Sequence, residues 1–215
     1  MPGDRTRGGR EAASQGEAAL LARLRAGDRA AFAALVGRHA GSLLRVARSL
    51  VRDLSLAEEV VQETWLAVLG GLDEFQGRSS LRTWLFQILA NRARTRFARE
   101  GRTVPFSALA GDDAAAVDPG RFDEQGGWRE PPGAWTEEDP ERLAMGAETR
   151  AAIEAAIQEL PEAQRAVMTL RDIEGLPTEE ICNLLSITVT NQRVLLHRAR
   201  ARVRQALERR LGGVR

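Results

Sequence analysis

The chain has no lysine, no tyrosine, one cysteine and two histidines. All 31 basic residues are therefore arginine. A planar guanidinium grips phosphate bidentately, so an arginine-only complement suits polyanion binding. Arginine is nevertheless spread along the whole chain beside abundant Ala and Gly, and a GC-rich genome is the simpler account of that bias. The lone Cys182 excludes an intramolecular disulfide and fits a cytosolic, cytoplasmic location. It sits between Ile181 and Leu184, which reads as a buried structural thiol. No run of about 18 apolar residues occurs, so no membrane insertion is expected. Arg5, Arg7 and Arg10 lack a following apolar core, which argues for a frayed tail and against a secretory signal. His39 and His197 lie far apart, and there is no Cys-x-x-Cys pair, no His-Glu-x-x-His, no phosphate-cradling glycine loop and no nucleophile elbow. No metal, cofactor or catalytic residue is expected, and the chain does not read as an enzyme.

What is present is charge, and it is segregated. The net charge over 215 residues is only +1. Residues 78–106 carry seven Arg against one acid, and residues 193–215 carry eight Arg against one acid. Between them, residues 107–141 carry ten acids against two Arg. Two basic blocks flanking an acidic one suggest polyanion binding at two places. With 43% hydrophobic residues the chain can bury one large core or two small ones.

The hydrophobic period is helical throughout, and no strand alternation of any length occurs. Residues 1–16 read as a disordered tail. Leu20, Leu21 and Leu24 mark a first helix, broken at Gly27-Asp28, where Asp28 can cap the next. That helix repeats Phe32, Leu35, Val36, His39, Leu43, Ala47 and Leu50 at steps of three and four. Ser55, with Glu58 three residues on, reads as a capping box opening a helix with Val60, Val61, Thr64 and Val68 inward. Gly70-Gly71 ends it. After the loop Phe75-Gln76-Gly77-Arg78-Ser79 a helix is expected from about Ser80, with Leu81, Trp84, Leu85 and Ile88 inward. From Pro105 to Pro140 the pattern collapses into a Pro- and Gly-rich acidic linker, residues 105–141. Trp128 and Trp135 within it are docking points or incidental. Helical order returns near Arg142, with a stripe of Ile153, Ala156, Ile157 and Leu160. Pro161 opens the next helix, where its missing N–H is not needed, and Val167, Leu170 and Ile173 continue the core to Gly175. Thr178 is expected to cap a short helix. The turn Ser186-Ile187-Thr188 leads into a long basic helix. The expected fold is all-α, two helical domains (17–104 and 142–215) joined by an acidic flexible linker.

Two constellations point to nucleic acid. A short helix, a tight turn and a long basic helix make a helix-turn-helix, whose second helix enters the major groove. Gln192, Leu196, Ala199, Val203 and Leu207 would face inward, and Thr190, Arg193, Val194, His197 and Arg198 outward. Arg193 and Arg198 can reach guanine edges or phosphates. Arg200, Arg202 and Arg204 suit phosphates or a partner surface. The alternative is a solvated basic helix in a plain bundle, and His197 by itself reads as a surface residue. In the first basic block, Arg92, Arg94, Arg96, Arg99 and Arg102 lie among Trp84, Phe86 and Phe97, mixing backbone attraction with stacking platforms. Trp84 lies on the apolar stripe, so core packing is its default role, and Asn91 meets a base edge or solvent. Glu59, Gln62 and Glu63 share an outer face of an acidic helix, which is a solvated face or a docking surface.

These motifs, in this order, resemble the extracytoplasmic-function (ECF) branch of the bacterial sigma factor family. The first set runs from Gly27-Asp28-Arg29-Ala30-Ala31-Phe32 through Ala57-Glu58-Glu59-Val60-Val61-Gln62-Glu63-Thr64-Trp65. It continues in Phe75-Gln76-Gly77-Arg78-Ser79-Ser80, Thr83-Trp84-Leu85 and Ile88-Leu89-Ala90-Asn91. The second runs from Leu160-Pro161-Glu162-Ala163-Gln164-Arg165 through Glu179-Glu180-Ile181 to His197-Arg198-Ala199-Arg200. The resemblance implies a sigma factor that binds core RNA polymerase and directs promoter-specific initiation, while the polymerase does the chemistry. It implies polymerase docking through Glu59, Gln62 and Glu63. The −10 element would be captured, as an unstacked base, by Gln76, Arg78, Ser79, Ser80, Trp84, Asn91 and Arg94. The −35 duplex would be read by Thr190, Arg193, Val194, His197 and Arg198. The acidic linker would thread through polymerase, and an anti-sigma factor is a possible partner.

The chain also departs from that pattern. Relatives carry a Gly-Thr pair and a basic-Ser-Arg run where this chain has Thr190-Asn191 and Arg193-Val194-Leu195. Leu195 removes one DNA contact, so no −35 sequence preference carries over. Cys182 stands where Ala is usual. A stand-alone helix-turn-helix regulator accounts for residues 142–210 but leaves the first domain idle. A two-bundle interaction adaptor is demanded by no feature.

Overall fold

The computed structural model describes residues 16–51, 53–99 and 140–211. The acidic linker with Trp128 and Trp135, Arg102, residues 1–15 and the side chains of Phe97 and Arg99 lie outside them. The chain divides into two compact units, Met1–Arg102 and Thr103–Arg215, and the described residues of both are helical.

In the first unit, α1 (residues 16–25) ends at Gly27, whose φ of +75° is a left-handed conformation that suits glycine. Asp28 then caps α2 (Arg29–Leu50), accepting from the backbone N–H groups of Ala30 at 2.8 Å and Ala31 at 3.1 Å. Those bonds, the Ala31 one above all, together with the Arg23 guanidinium, hold the Asp28 carboxyl below its ordinary value. Helix α3 (Leu54–Gly71) is capped by Asp53, not by the expected Ser55 box. The Asp53 carboxylate accepts from Leu56 N–H at 3.1 Å and from the Ser55 hydroxyl at 2.6 Å. Asp is a strong N-cap, and its position two residues upstream leaves Ser55 as its donor. A 3-10 turn (Leu72–Glu74) follows, then the loop 76–80 and α4 (Leu81–Arg99). Helices α2, α3 and α4 pack against one another. Their core is Leu35, Leu43, Ala47 and Leu50 with Ala57, Val60, Thr64 and Val68, closed by Leu81, Leu85, Phe86 and Leu89. Phe32, Val61, Trp84 and Ile88 are only half-buried. Phe32 meets Trp65 edge-on at 5.9 Å.

In the second unit, α5 (Pro140–Gln158) and α6 (Glu162–Met168) pack on α8 (Val189–Leu211). Pro161, expected as the first residue of α6, occupies its N-cap, so the helix starts one residue later. Helix α6 runs into a π-helical turn (Thr169–Ile173), and Gly175, at φ +68°, ends the run. Ile173, expected in the core, is 45% exposed, because the wider π turn rotates it off the stripe that Val167 and Leu170 continue. Helix α7 (Thr178–Leu185) has Pro177 at its N-cap and no side-chain cap, so Thr178 is not the cap. Ile181, Cys182, Leu184 and Leu185 are its buried face. The turn into α8 places Ser186 in the left-handed region at φ 56° and buries Ile187. Thr188 caps α8 as expected, its hydroxyl accepting from Asn191 N–H at 3.1 Å.

Candidate nucleic-acid interfaces

The outer face of α3 carries the acidic set. Glu59 and Gln62 are exposed and Glu63 is half-buried. The face is not simply solvated: Arg96, in the last turn of α4, reaches back across to α3. Its guanidinium bonds Glu63 at 2.8 Å and also pairs with Glu59. Along the same side Leu66 is 70% and Leu69 52% exposed, so the acidic stretch continues into an apolar one. Acidic residues followed by uncovered leucines on one helix make a surface suited to a basic, partly apolar partner.

Two clefts share the Trp84 side chain, one where α3 meets α4 and one where the loop 76–80 meets α4. The first, of about 340 Å³, is lined by Ala67, Gly71, Glu74, Trp84, Ile88, Asn91, Arg92 and Thr95. The second, of about 270 Å³, is lined by Glu74, Phe75, Gln76, Arg78, Ser79 and Trp84. Trp84 is thus neither fully core nor free. Its ring leans on buried Phe75 at 5.0 Å and 51°, which fixes its orientation. A rigid, half-exposed indole flanked by Arg and amide groups can stack on an unpaired base while the polar groups meet its edges. Gly71 borders the indole: a side-chain carbon there would lie 3.6 Å from the Trp84 ring, in ordinary van der Waals contact.

The expected −10 residues fall around these clefts unevenly. Gln76, Arg78, Ser79, Trp84 and Asn91 line them. Ser80 instead builds the helix start, its hydroxyl accepting from Thr83 N–H at 3.1 Å and bonding the Thr83 hydroxyl at 2.8 Å. Arg94 is exposed and folds back on its own helix, Nε donating to the Ala90 carbonyl at 3.3 Å, whereas Arg92 is the arginine that lines a cleft. Sequence reasoning named Arg92 in the basic block beside Trp84 but not as a −10 residue, and it passed over Glu74 and Thr95. Asn91, Arg92 and Thr95 are adjacent on one flank of α4, a spacing that could have found them. Arg82 was missed too: its guanidinium lies over the buried Phe86 ring at 5.3 Å.

On α8, Thr190, Arg193 and Val194 are exposed, while His197 and Arg198 are half-buried. Residues 190, 193, 194 and 197 fall on one flank of a 3.6-residue helix, with 198 at its edge. The opposite flank is core: Gln192, Leu196, Ala199 and Val203 are buried, while Leu207 is half-buried. Leu195, read as a vacated DNA contact, is 1% exposed and is a core residue. Arg200 turns from the groove side to hold Asp172 of the π turn through two bonds, at 2.9 and 2.8 Å. Arg204 pairs with Glu208 at 2.7 Å. Burial first, then Arg200 and Arg198, push the His197 imidazole below its ordinary value, which favours the neutral ring. Burial, and then Glu179, push the Cys182 thiol up, which suits packing and not reactivity.

Among the described residues no group of three or more His, Cys, Asp or Glu could hold a metal ion, and no helix is long and apolar enough to cross a membrane. One unit with a basic, aromatic-lined cleft and another with a helix-turn-helix define a bipartite DNA-binding protein. Comparison with known proteins sharpens this class. Residues 35–103 match the sigma-70 region 2 family and residues 150–203 match sigma-70 region 4. The RNA polymerase sigma-H factor of Pseudomonas aeruginosa is 31% identical over 189 residues, which span 88% of this chain and 92% of that protein. The ECF RNA polymerase sigma-E factor of Escherichia coli is 32% identical over 181 residues, spanning 84% and 88%. The chain belongs to the sigma factor family, in its ECF branch, and directs promoter-specific initiation with core RNA polymerase.

Two solved structures share the fold. CnrH, solved with the cytosolic domain of CnrY, aligns with a TM-score of 0.52 at 24% identity over 90% of this chain and 97% of that one. The sigma factor RpoE, solved with the anti-sigma factor NepR from Bartonella quintana, aligns at 0.50 and 22% over 81% and 96%.

Proposed function

We propose a division of labour between the two units, with domains at 17–104 and 142–215 and the acidic segment 105–141 as the linker between them. The first unit docks on polymerase through Glu59, Gln62 and Glu63 and takes an unpaired −10 base beside Trp84. Gln76, Arg78, Ser79 and Asn91 contact that nucleotide, Ser80 fixes the loop end, and Arg94 with Arg92 supplies backbone attraction. The second unit reads the −35 duplex through Thr190, Arg193, Val194, His197 and Arg198. The observation that carries this reading is the pair of clefts that share the fixed Trp84 ring. Extruding a base costs a few kcal/mol per step, and a preformed slot with a stacking face offsets it. Exposed Val194 beside Arg193 gives the second unit an apolar contact for a thymine methyl and a fork for guanine.

The chain itself performs no chemistry on this reading, works in the cytoplasm without membrane insertion, and requires no cofactor. An anti-sigma factor is a fitting partner, since both solved neighbours are complexes and one of them names such a factor. Permanganate probing of a promoter mapped from the gene's own upstream region tests the division. Holoenzyme with Trp84→Ala should protect the −35 region and leave −10 thymines unreactive. Full −10 reactivity with that variant would overturn the base-slot assignment. A stand-alone regulator, the alternative, would protect duplex DNA without polymerase.

A further inference from the structure

We infer that Arg25 and Glu17 of α1 are positioning residues that pin both ends of the base-capturing loop. The inference rests on the proposed role of that loop. Before the loop, the Arg25 guanidinium donates through Nε to the Leu72 carbonyl at 3.3 Å and through an Nη to the Phe75 carbonyl at 2.7 Å. The 3-10 turn is thereby clamped at both its first carbonyl and the residue that follows it. Phe75 is 6% exposed and carries the ring on which Trp84 leans. Arg25 therefore fixes, through Phe75, the orientation of the stacking face. After the loop, the Glu17 carboxylate accepts from the Leu81 N–H, the first of α4. That N–H has no partner within its own helix, so an acceptor brought from α1 satisfies it beside the Ser80 cap and ties the helix start to α1.

Between the two pins lie residues 76–80, with Gly77 in the left-handed region at φ +67° and Gln76, Arg78 and Ser80 exposed. Such a loop would lose conformational entropy on closing around a base. Pinning its ends places that cost in folding and leaves less to be met on binding. Both bonds to the loop ends are charge-assisted, the stronger kind. Neither residue lines either of the two clefts beside Trp84, so each acts through the groups it holds.

The test uses holoenzyme on the mapped promoter with 2-aminopurine next to the extruded position as the reporter of opening, comparing the natural base with a mismatch at the extruded position. Glu17→Ala, which loses one charge-assisted bond, is expected to slow opening by about tenfold, and Arg25→Ala, which loses two, by at least as much. They should also shrink the ratio between natural and mismatched base, while core binding and −35 protection stay unchanged. Glu17→Gln keeps an acceptor for Leu81 N–H and should restore opening and discrimination. Gln76→Ala with Arg78→Ala serves as the loop control. If the control impairs opening while Arg25→Ala and Glu17→Ala behave as wild type, the pinning inference is overturned and the loop assignment stands. If the control also opens normally, both fall. An overall loss of stability would lower opening without changing the discrimination ratio, and that result counts against positioning as well.

Discussion

On the proposed division of labour, the two units grip a polyanion with different materials. The first has all the described aromatics, including Phe32, Trp65, Phe75, Trp84 and Phe86, and residues 136–215 contain none. Its clefts are built from a half-buried indole held by a buried phenyl. The second unit presents a helix flank of Thr190, Arg193 and Val194, with its core made of aliphatic residues and Ala. Unstacking a base needs a surface that replaces the stack, and rings do that. Reading an intact duplex needs hydrogen-bonding and methyl-sized groups on a rigid rod that fits the major groove. Net charge alone does not separate these tasks, because both basic blocks look alike by count.

The contrast can be broken, most severely at the docking face. Glu59→Arg with Gln62→Arg should abolish co-purification with core polymerase at unchanged helicity, because it reverses the face next to Glu63. Wild-type recovery on a sizing column would remove α3 as the docking helix. Next in size, Leu195→Ala should destabilise the second unit by about 2–5 kcal/mol, the cost of a buried cavity. A chemical-denaturation midpoint equal to wild type would return Leu195 to the surface. Trp84→Ala should cost about 1–3 kcal/mol of binding to a promoter with a pre-melted −10 element and leave duplex −35 binding alone. Arg193→Ala mirrors it, with about 1–3 kcal/mol lost on duplex if it contacts a base, and none on the melted element. Equal losses on both probes would dissolve the division between the units. The smallest effect concerns the Asp28 cap. Its folded carboxyl titrates below the ordinary value, so its contribution is complete above that value and is lost as pH falls through the lower folded one. Melting from pH 7 to pH 3 should show Asp28→Asn, still a capping residue, to be less acid-sensitive than wild type. Identical acid sensitivity would assign that loss to other carboxylates.

Much of this contrast is legible along the chain, because helices and caps are local. The 3.6-residue period places Leu35, Leu43 and Leu50 in one core, and Asp28 and Thr188 cap where their neighbours say they should. Local rules fail where two of them compete. Asp53 and Ser55 are both good caps, and the stronger acceptor takes the helix N-terminus. They fail again at the π turn, where one wide turn moves Ile173 outward, and at Leu195, which family analogy placed at the DNA surface and the inward stripe left out, but which is buried. Contacts distant in sequence leave no local trace. Arg25 meets Phe75 across 50 residues, Glu17 meets Leu81 across 64, and Arg96 meets Glu63 across 33. The site residues themselves were recognisable as residue types, but which of them share a cleft depends on how α4 lies on α3.

The central claim is tested most directly by run-off transcription with bacterial core polymerase, with and without the full chain, on genomic fragments that include its own upstream region. The account predicts a discrete new transcript only when the protein is present, its start lying downstream of a −10 region that becomes permanganate-reactive. No transcript, together with failure to bind core polymerase on a sizing column, would contradict it and leave a stand-alone DNA-binding regulator.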